Sequence, residues 1–235
     1  MLRIITYNIY YGEQLTKIYS WLESLEKKPD IICFQEFPKN ELRSLGKQNI
    51  VENMSFCFSS GLAKDNKVFG QVTVFNTKKL TLSGKKSIPL GTDYLEKFYK
   101  KNPNKRSALL SIFEYRDSMF VLVNVHLSAL SINSKRREQI SIILKQLKSS
   151  ATMILGDFNY SSLWGRTGLI NFMKDNNFEV AGEKMITNRY KRKIPQQLDY
   201  VFFKNIKLNN VAVEKVDFSD HYPVIVEMEI KRIKK

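Results

Sequence analysis

The chain contains only two histidines, and both stand beside apolar, strand-like runs. His126 ends Phe120-Val121-Leu122-Val123-Asn124-Val125-His126, and His221 lies in Phe218-Ser219-Asp220-His221-Tyr222-Pro223, directly after an aspartate. Imidazole titrates near neutrality, so it is the side chain best suited to proton transfer and to meeting anionic groups at physiological pH. Other polar residues are placed in the same way. Asn8 follows Ile5-Thr6-Tyr7, and Glu36 follows Ile32-Cys33-Phe34-Gln35. Asp157 and Asn159 follow Met153-Ile154-Leu155-Gly156, and Asp199 lies within Gln197-Leu198-Asp199-Tyr200-Val201-Phe202. Polar groups at the ends of buried strands are costly unless they are paired, hydrogen-bonded or bound to a metal. Singly, each fits a turn, a helix cap or a loop. Their recurrence at the ends of apolar runs points to one site.

Glu36, Asn8 and Asp220 offer oxygen donors, which suit Mg²⁺ or Mn²⁺. No cysteine or histidine cluster of zinc type is present, and Cys33 and Cys57 lie inside apolar runs, as reduced core thiols do. Asp199 can hydrogen-bond one ring nitrogen of His221, fixing its tautomer and favouring the protonated form. Asp157 can orient and deprotonate a water, with Asn159 helping to place it. This set of groups is suited to hydrolysis of a phosphate ester.

The elements that must position these residues are short. Buried strands are expected over 2–9 and 31–37, with further strands over 54–59, 70–77, 106–114, 118–127, 151–157, 198–203, 208–216 and 222–230. Leu15, Ile18, Tyr19, Leu22 and Leu25 fall at helical spacing before Pro29, and amphipathic helices fit 135–148 and 167–176. Many strands with few helices indicate a layered α/β (α+β) sandwich of mixed sheets. The segment 85–106 interleaves Lys85, Lys86, Lys97, Lys100, Lys101, Lys105 and Arg106 with Tyr94, Phe98 and Tyr99. It reads either as a substrate-facing loop or as a solvated insertion.

The 235 residues suit one domain spanning 1–235, and 43% hydrophobic residues exclude a disordered chain. No apolar run reaches membrane-spanning length and no signal-peptide pattern follows Met1, so a cytoplasmic location is expected. The net charge of +15 implies attraction to polyanions such as nucleic acid, anionic lipid or phosphorylated metabolites. Lysines (28) outnumber arginines (10), so solubility accounts for part of that charge.

The order Thr6-Tyr7-Asn8-Ile9, Gln35-Glu36, Asn124-Val125-His126-Leu127, Gly156-Asp157-Phe158-Asn159, Leu198-Asp199-Tyr200-Val201 and Ser219-Asp220-His221 resembles the endonuclease/exonuclease/phosphatase (DNase I-like) superfamily. The resemblance runs through the whole chain. It implies a four-layered αββα sandwich of two packed mixed β-sheets flanked by helices, with the site at one edge. It also implies that Glu36, with Asn8 and Asp220, holds Mg²⁺ or Mn²⁺. Asp157 and Asn159 would position the attacking water, His221 held by Asp199 would contact the scissile phosphate, and His126 would stabilise charge on the phosphoryl oxygens. Two departures bear on the activity. Tyr10 stands where many relatives carry an acidic or amide group, which favours a single metal. Asn124-Val125-His126-Leu127-Ser128 replaces the stretch usual in abasic-site enzymes, and its histidine is closer to the DNase I, sphingomyelinase, tyrosyl-DNA phosphodiesterase and inositol-phosphatase branches.

Three readings follow. The first is a monomeric nuclease or nucleic-acid phosphodiesterase, with Arg106, Trp164 and Arg166 contacting substrate. The second is a sphingomyelinase-like phospholipid phosphodiesterase or a small-molecule, inositol-type phosphatase. The third, a non-catalytic binding module, predicts lost site residues, whereas every position is filled.

Overall fold

The computed structural model describes residues 1–93, 95, 105–148, 151–190 and 194–230. Its frame is two mixed six-stranded sheets. The first sheet contains β1 (Leu2–Asn8), β2 (Ile31–Pro38), β3 (Met54–Lys64), β4 (Lys67–Asn76), β13 (Ile206–Val213) and β14 (Val224–Ile230), in the order β13-β14-β1-β2-β4-β3. The second contains β5 (Thr81–Gly91), β6 (Arg106–Tyr115), β7 (Ser118–His126), β8 (Ala151–Asp157), β9 (Glu179–Ala181) and β12 (Asp199–Lys204), in the order β5-β6-β7-β8-β12-β9. Two short strands, β10 (Asn188–Tyr190) and β11 (Ile194–Gln196), form a separate antiparallel ribbon.

Each large sheet holds one parallel pair bridged by a helix. Strands β1 and β2 are joined through α1 (Leu15–Ser24), and β7 and β8 through α3 (Asn133–Leu144). Strands buried on both faces read as unbroken apolar runs, which is why 2–9 and 151–157 are legible in the sequence. Between the sheets, Leu2, Ile4, Ile31 and Phe75 meet Phe113, Phe120, Leu122 and Met153. Leu15, Ile18 and Leu22 of α1 cover the outer face of the first sheet. Ile140 and Ile143 of α3, with Leu169 and Met173 of α4 (Leu163–Asp175), cover the outer face of the second. The result is the expected αββα layering. A further short helix, α2 (Leu42–Leu45), follows β2.

Several elements differ from the sequence expectation. Helix α1 stops at Ser24, and α4 begins at Leu163, where the Ser162 hydroxyl accepts the Gly165 N–H at 3.1 Å. The β3–β4 hairpin is longer than expected because Asp65 and Asn66, both at positive φ, make a tight turn that keeps the strands paired. In the segment 85–106, Lys85 to Gly91 belong to the edge strand β5 and are not loop. Lysines on an edge strand discourage pairing with another chain, and this accounts for their density there. Tyr94, Lys97, Phe98, Tyr99, Lys100 and Lys101 lie outside the described residues. Among the described residues no helix is long and apolar enough to cross a membrane.

Candidate active site

The carboxyl ends of the two parallel pairs come together at one edge of the sandwich. Gln35 beside β2's functional end donates to Thr6 Oγ1 at 3.0 Å and across the sheets to Asn124 Oδ1 at 2.8 Å. Asn124 in turn donates to the carbonyls of Phe34 (3.1 Å) and Val72 (3.0 Å) in the first sheet. Gly156 permits a close approach of β7, β8 and Gln35, since a Cβ there would stand 2.2 Å from the Val125 carbonyl oxygen. These contacts bring Asn8 and Glu36 of one sheet to His126, Asp157 and Asp199 of the other.

Glu36 sits in a bulge. Phe34 pairs with Val72 and Phe37 with Gly70, so Gln35 and Glu36 together oppose a single residue, and Glu36 takes a φ of 58°. A glutamate in the left-handed region is strained, and the bulge re-aims its carboxylate away from the strand's normal alternation. Two successive left-handed residues, Tyr10 and Tyr11, then turn the chain back over it. The Tyr11 N–H donates to Glu36 Oε2 at 3.1 Å, and the Tyr10 N–H donates to Asn8 Oδ1 at 3.2 Å.

Asp157 Oδ2 is the hub of the cluster. It accepts from Asn8 Nδ2 at 3.0 Å and lies 3.6 Å from His126 Nε2 and 3.8 Å from His221 Nε2. Its other oxygen accepts the Asn159 N–H at 2.9 Å. Asn159 adopts a φ of 57° and turns its amide to the Leu127 carbonyl at 3.1 Å, tying the two parallel strand ends together. Asp199 pairs in register with Asp157 across β8 and β12, and its Oδ2 lies 2.7 Å from His221 Nδ1. Burial pushes the Asp157 carboxyl up to about 7, against the opposing pull of His221. Burial alone would lower the His221 pKa, but Asp199 and Asp157 outweigh it and raise it to about 10. His221 therefore carries its proton in neutral solution. Burial also raises Glu36, opposed by Arg106 and His221 and reinforced by Asp220.

The support given by Thr187 was not legible in the sequence. The Thr187 hydroxyl accepts the N–H groups of both Leu198 (3.1 Å) and Asp199 (3.0 Å), from a position remote in the chain. The Ser219 hydroxyl donates to the Asn8 carbonyl (2.8 Å) and accepts from the His221 N–H (3.2 Å). Ser219-Asp220-His221 does carry a local signal for that second bond, because a serine commonly accepts an N–H two residues on.

Arg106 opens β6 and is only 2% exposed, so it belongs to the buried cluster and not to an open loop. Its Nη1 lies 3.1 Å from His126 Nε2. Arginine only donates, so that ring nitrogen accepts and the imidazole proton resides on Nδ1. Trp164 and Arg166 stand apart from the cluster on the first turns of α4. Trp164 is 91% exposed and does not pack in the core. Asp220 is half-buried and close enough to perturb Glu36.

The donors available for a cation are the Glu36 and Asp220 carboxylates with the Asn8 amide oxygen nearby. Among the described residues, no three His, Cys, Asp or Glu side chains form a ready metal cage. One or two carboxylates is what Mg²⁺ ordinarily takes from a protein, since it keeps several waters. A buried glutamate whose ionisation is disfavoured by burial also fits a site meant to face a cation.

Residues 5–221 match the model of the Endonuclease/Exonuclease/phosphatase family. The chain belongs to this family. Its members are hydrolytic phosphoesterases that generally use divalent metals. Solved structures share the fold at low identity. A family protein from Bacteroides vulgatus is 16% identical, with a TM-score of 0.77, covering 98% of this chain and 99% of its own. The human nocturnin catalytic domain with bound sulfate is 16% identical, with a TM-score of 0.71 and coverage of 98% and 94%. A Bacteroides thetaiotaomicron mannosyl-6-phosphatase is 13% identical, with a TM-score of 0.69 and coverage of 97% and 100%.

Proposed function

We propose that this family member is a divalent-metal-dependent phosphodiesterase acting on nucleic acid. The observation that carries the chemistry is Asp157 Oδ2, a buried carboxylate oxygen within 3.8 Å of two imidazoles and hydrogen-bonded by Asn8. A buried carboxylate beside an imidazole that a second carboxylate orients is suited to in-line attack of water on phosphorus. Asp157 takes the proton of the attacking water, and the Asn159 N–H holds the carboxylate in place. The imidazolium of His221, oriented by Asp199, donates to a phosphoryl oxygen. Arg106 supplies the second cation, because the lone pair of His126 Nε2 faces it; His126 thus acts by positioning Arg106. Glu36, with Asp220 and Asn8, would hold Mg²⁺ or Mn²⁺, which would offset negative charge on the phosphate.

The nucleic-acid reading is supported by the net charge of +15 and by the exposed ring of Trp164 on α4. The test is a substrate panel with Mg²⁺ or Mn²⁺: single- and double-stranded DNA, RNA, sphingomyelin vesicles and an inositol phosphate. Cleavage of a nucleic acid, lost in EDTA and in His221→Ala and weakened steeply by salt, is the expected result. Turnover of lipid or inositol phosphate with none of DNA or RNA would replace the substrate assignment. Cleavage persisting in EDTA or in Asp157→Ala would remove the mechanism.

A further inference from the structure

Tyr10 and Tyr11 follow β1 in the turn that closes over Glu36, and both take the left-handed conformation, with φ of 45° and 56°. Bulky side chains rarely adopt it, and where they do the strain clusters at working sites. The turn is pinned to the catalytic cluster at two points. The Tyr10 N–H donates to Asn8 Oδ1 at 3.2 Å, and the Tyr11 N–H donates to Glu36 Oε2 at 3.1 Å. The backbone that carries the two rings is thus bonded to Asn8 and Glu36, which with Asp220 are the donors available for a cation. Asp220 is close as well. Partial burial raises the Tyr10 phenol, and the charges of Glu13, Asp220 and Glu36 raise it further. Tyr10 therefore stands at the rim of the site, on the side of these carboxylates.

The two rings have different surroundings. Tyr11 is packed in: Phe69 of β4 meets it edge to face with centroids 5.1 Å apart, and Lys64 Nζ lies 3.8 Å from its centre. Tyr10 leans on Tyr11 at 5.4 Å, with an angle of 61° between the planes, and is 40% exposed. An exposed tyrosine means little by itself. Here the ring is held by a strained turn and by an edge-to-face contact with a neighbour that is itself braced, so its direction is fixed while its surface stays available. A group presented in this way loses little freedom on binding. The neighbouring charges limit what it can meet. Glu13 repels a phosphate from the ring, and Lys64, one ring away, repels a quaternary ammonium. What remains is a flat uncharged group carried by an alcohol of the diester. In nucleic acid that group is the base.

We propose that Tyr10 is a stacking platform that selects for a base on the ester group beside the scissile phosphate. The proposal rests on the nucleic-acid reading above and names the residue that reads the substrate.

The test compares three chromogenic diesters with the same leaving group in the metal-loaded protein: thymidine 5′-(4-nitrophenyl phosphate), 4-nitrophenylphosphorylcholine and methyl 4-nitrophenyl phosphate. Wild type is expected to prefer the thymidine ester in kcat/KM. Tyr10→Ala should lower its preference over the methyl ester about tenfold, the worth of stacking one base on an aromatic ring. Tyr10→Leu should do the same while keeping the bulk of the side chain, which covers the case in which Tyr10→Ala loosens the turn. Tyr10→Phe should keep the preference. Equal losses on the thymidine and methyl esters would make Tyr10 a support for Asn8, and a Tyr10→Phe protein as poor as Tyr10→Ala would assign the effect to the hydroxyl. Either result, with oligonucleotides still cleaved, would overturn the platform alone. A Tyr10→Ala loss confined to the choline ester would place a cation on the ring and overturn it too. Hydrolysis of the methyl ester with no cleavage of any nucleotide would overturn the substrate reading beneath it.

Discussion

Replacing Gly156 by alanine would separate the two strands that hold the catalytic carboxylate. The backbone there has a φ of +129°, and an added Cβ would stand 2.2 Å from the Val125 carbonyl oxygen and 3.1 Å from Gln35 Nε2. A carbon and a carbonyl oxygen tolerate about 3.3 Å, so β7 and β8 must part by about 1 Å or the backbone must rotate. The next register pair is His126 with Asp157, so the displacement falls directly on the cluster. Strained backbone costs about 1–3 kcal/mol and overpacking a similar amount, giving an expected loss of about 4 kcal/mol. A 1 Å misplacement of reacting groups also costs about 100-fold in rate. Urea unfolding by linear extrapolation measures the first quantity, and turnover of the folded fraction measures the second. Gly168→Ala is the control. It lies inside α4 at an ordinary φ, where a Cβ meets only the flexible end of Arg137 at 3.4 Å. That change should stabilise by about 0.5–1 kcal/mol. A Gly156→Ala protein within about 1 kcal/mol of wild type, with full activity, would refute the claim that strand proximity sets this site.

Asp199→Asn should keep the fold and lower kcat by about 100-fold or more, because the amide no longer holds His221 as an oriented imidazolium across the 2.7 Å contact; unchanged kcat would exclude His221 as a charged donor. Mg²⁺ at about 100 times its Kd should stabilise the wild type by about 2.7 kcal/mol in thermal unfolding, and Glu36→Gln should abolish that gain. Without metal, the same variant should be at least as stable as wild type, since it removes a buried charge disfavoured by its surroundings; equal Mg²⁺ stabilisation of both proteins would remove Glu36 as a ligand. Asn124→Leu should cost about 2–4 kcal/mol by stranding the groups it joins across the sheets, and a loss below about 1 kcal/mol in denaturant would show that water replaces the amide.

The long apolar strands were legible because burial on both faces leaves an uninterrupted hydrophobic run. Strand β5 was not, because an edge strand rich in lysine lacks that pattern. The three-residue strands β9, β10 and β11 are too short for periodicity to register. Arg106 was named for its charge, but its burial against His126 depends on β6 pairing with β7. The Tyr11 N–H and the Thr187 hydroxyl carried no signal, since one is backbone and the other is distant from the aspartate it supports.

By itself the sequence determined which chemical groups end which strands, and in what order, because side-chain alternation and apolar runs are local properties of the chain. That was enough to identify the family, the αββα layering and the phosphoesterase class. Which atoms meet was decided by the tertiary structure. Asn8 and Asp157 are 149 residues apart, and their 3.0 Å contact exists only because Gly156 and the Gln35–Asn124 amide link let two sheets close on each other. The same packing turned Arg106 inward and set His126 to accept its hydrogen bond.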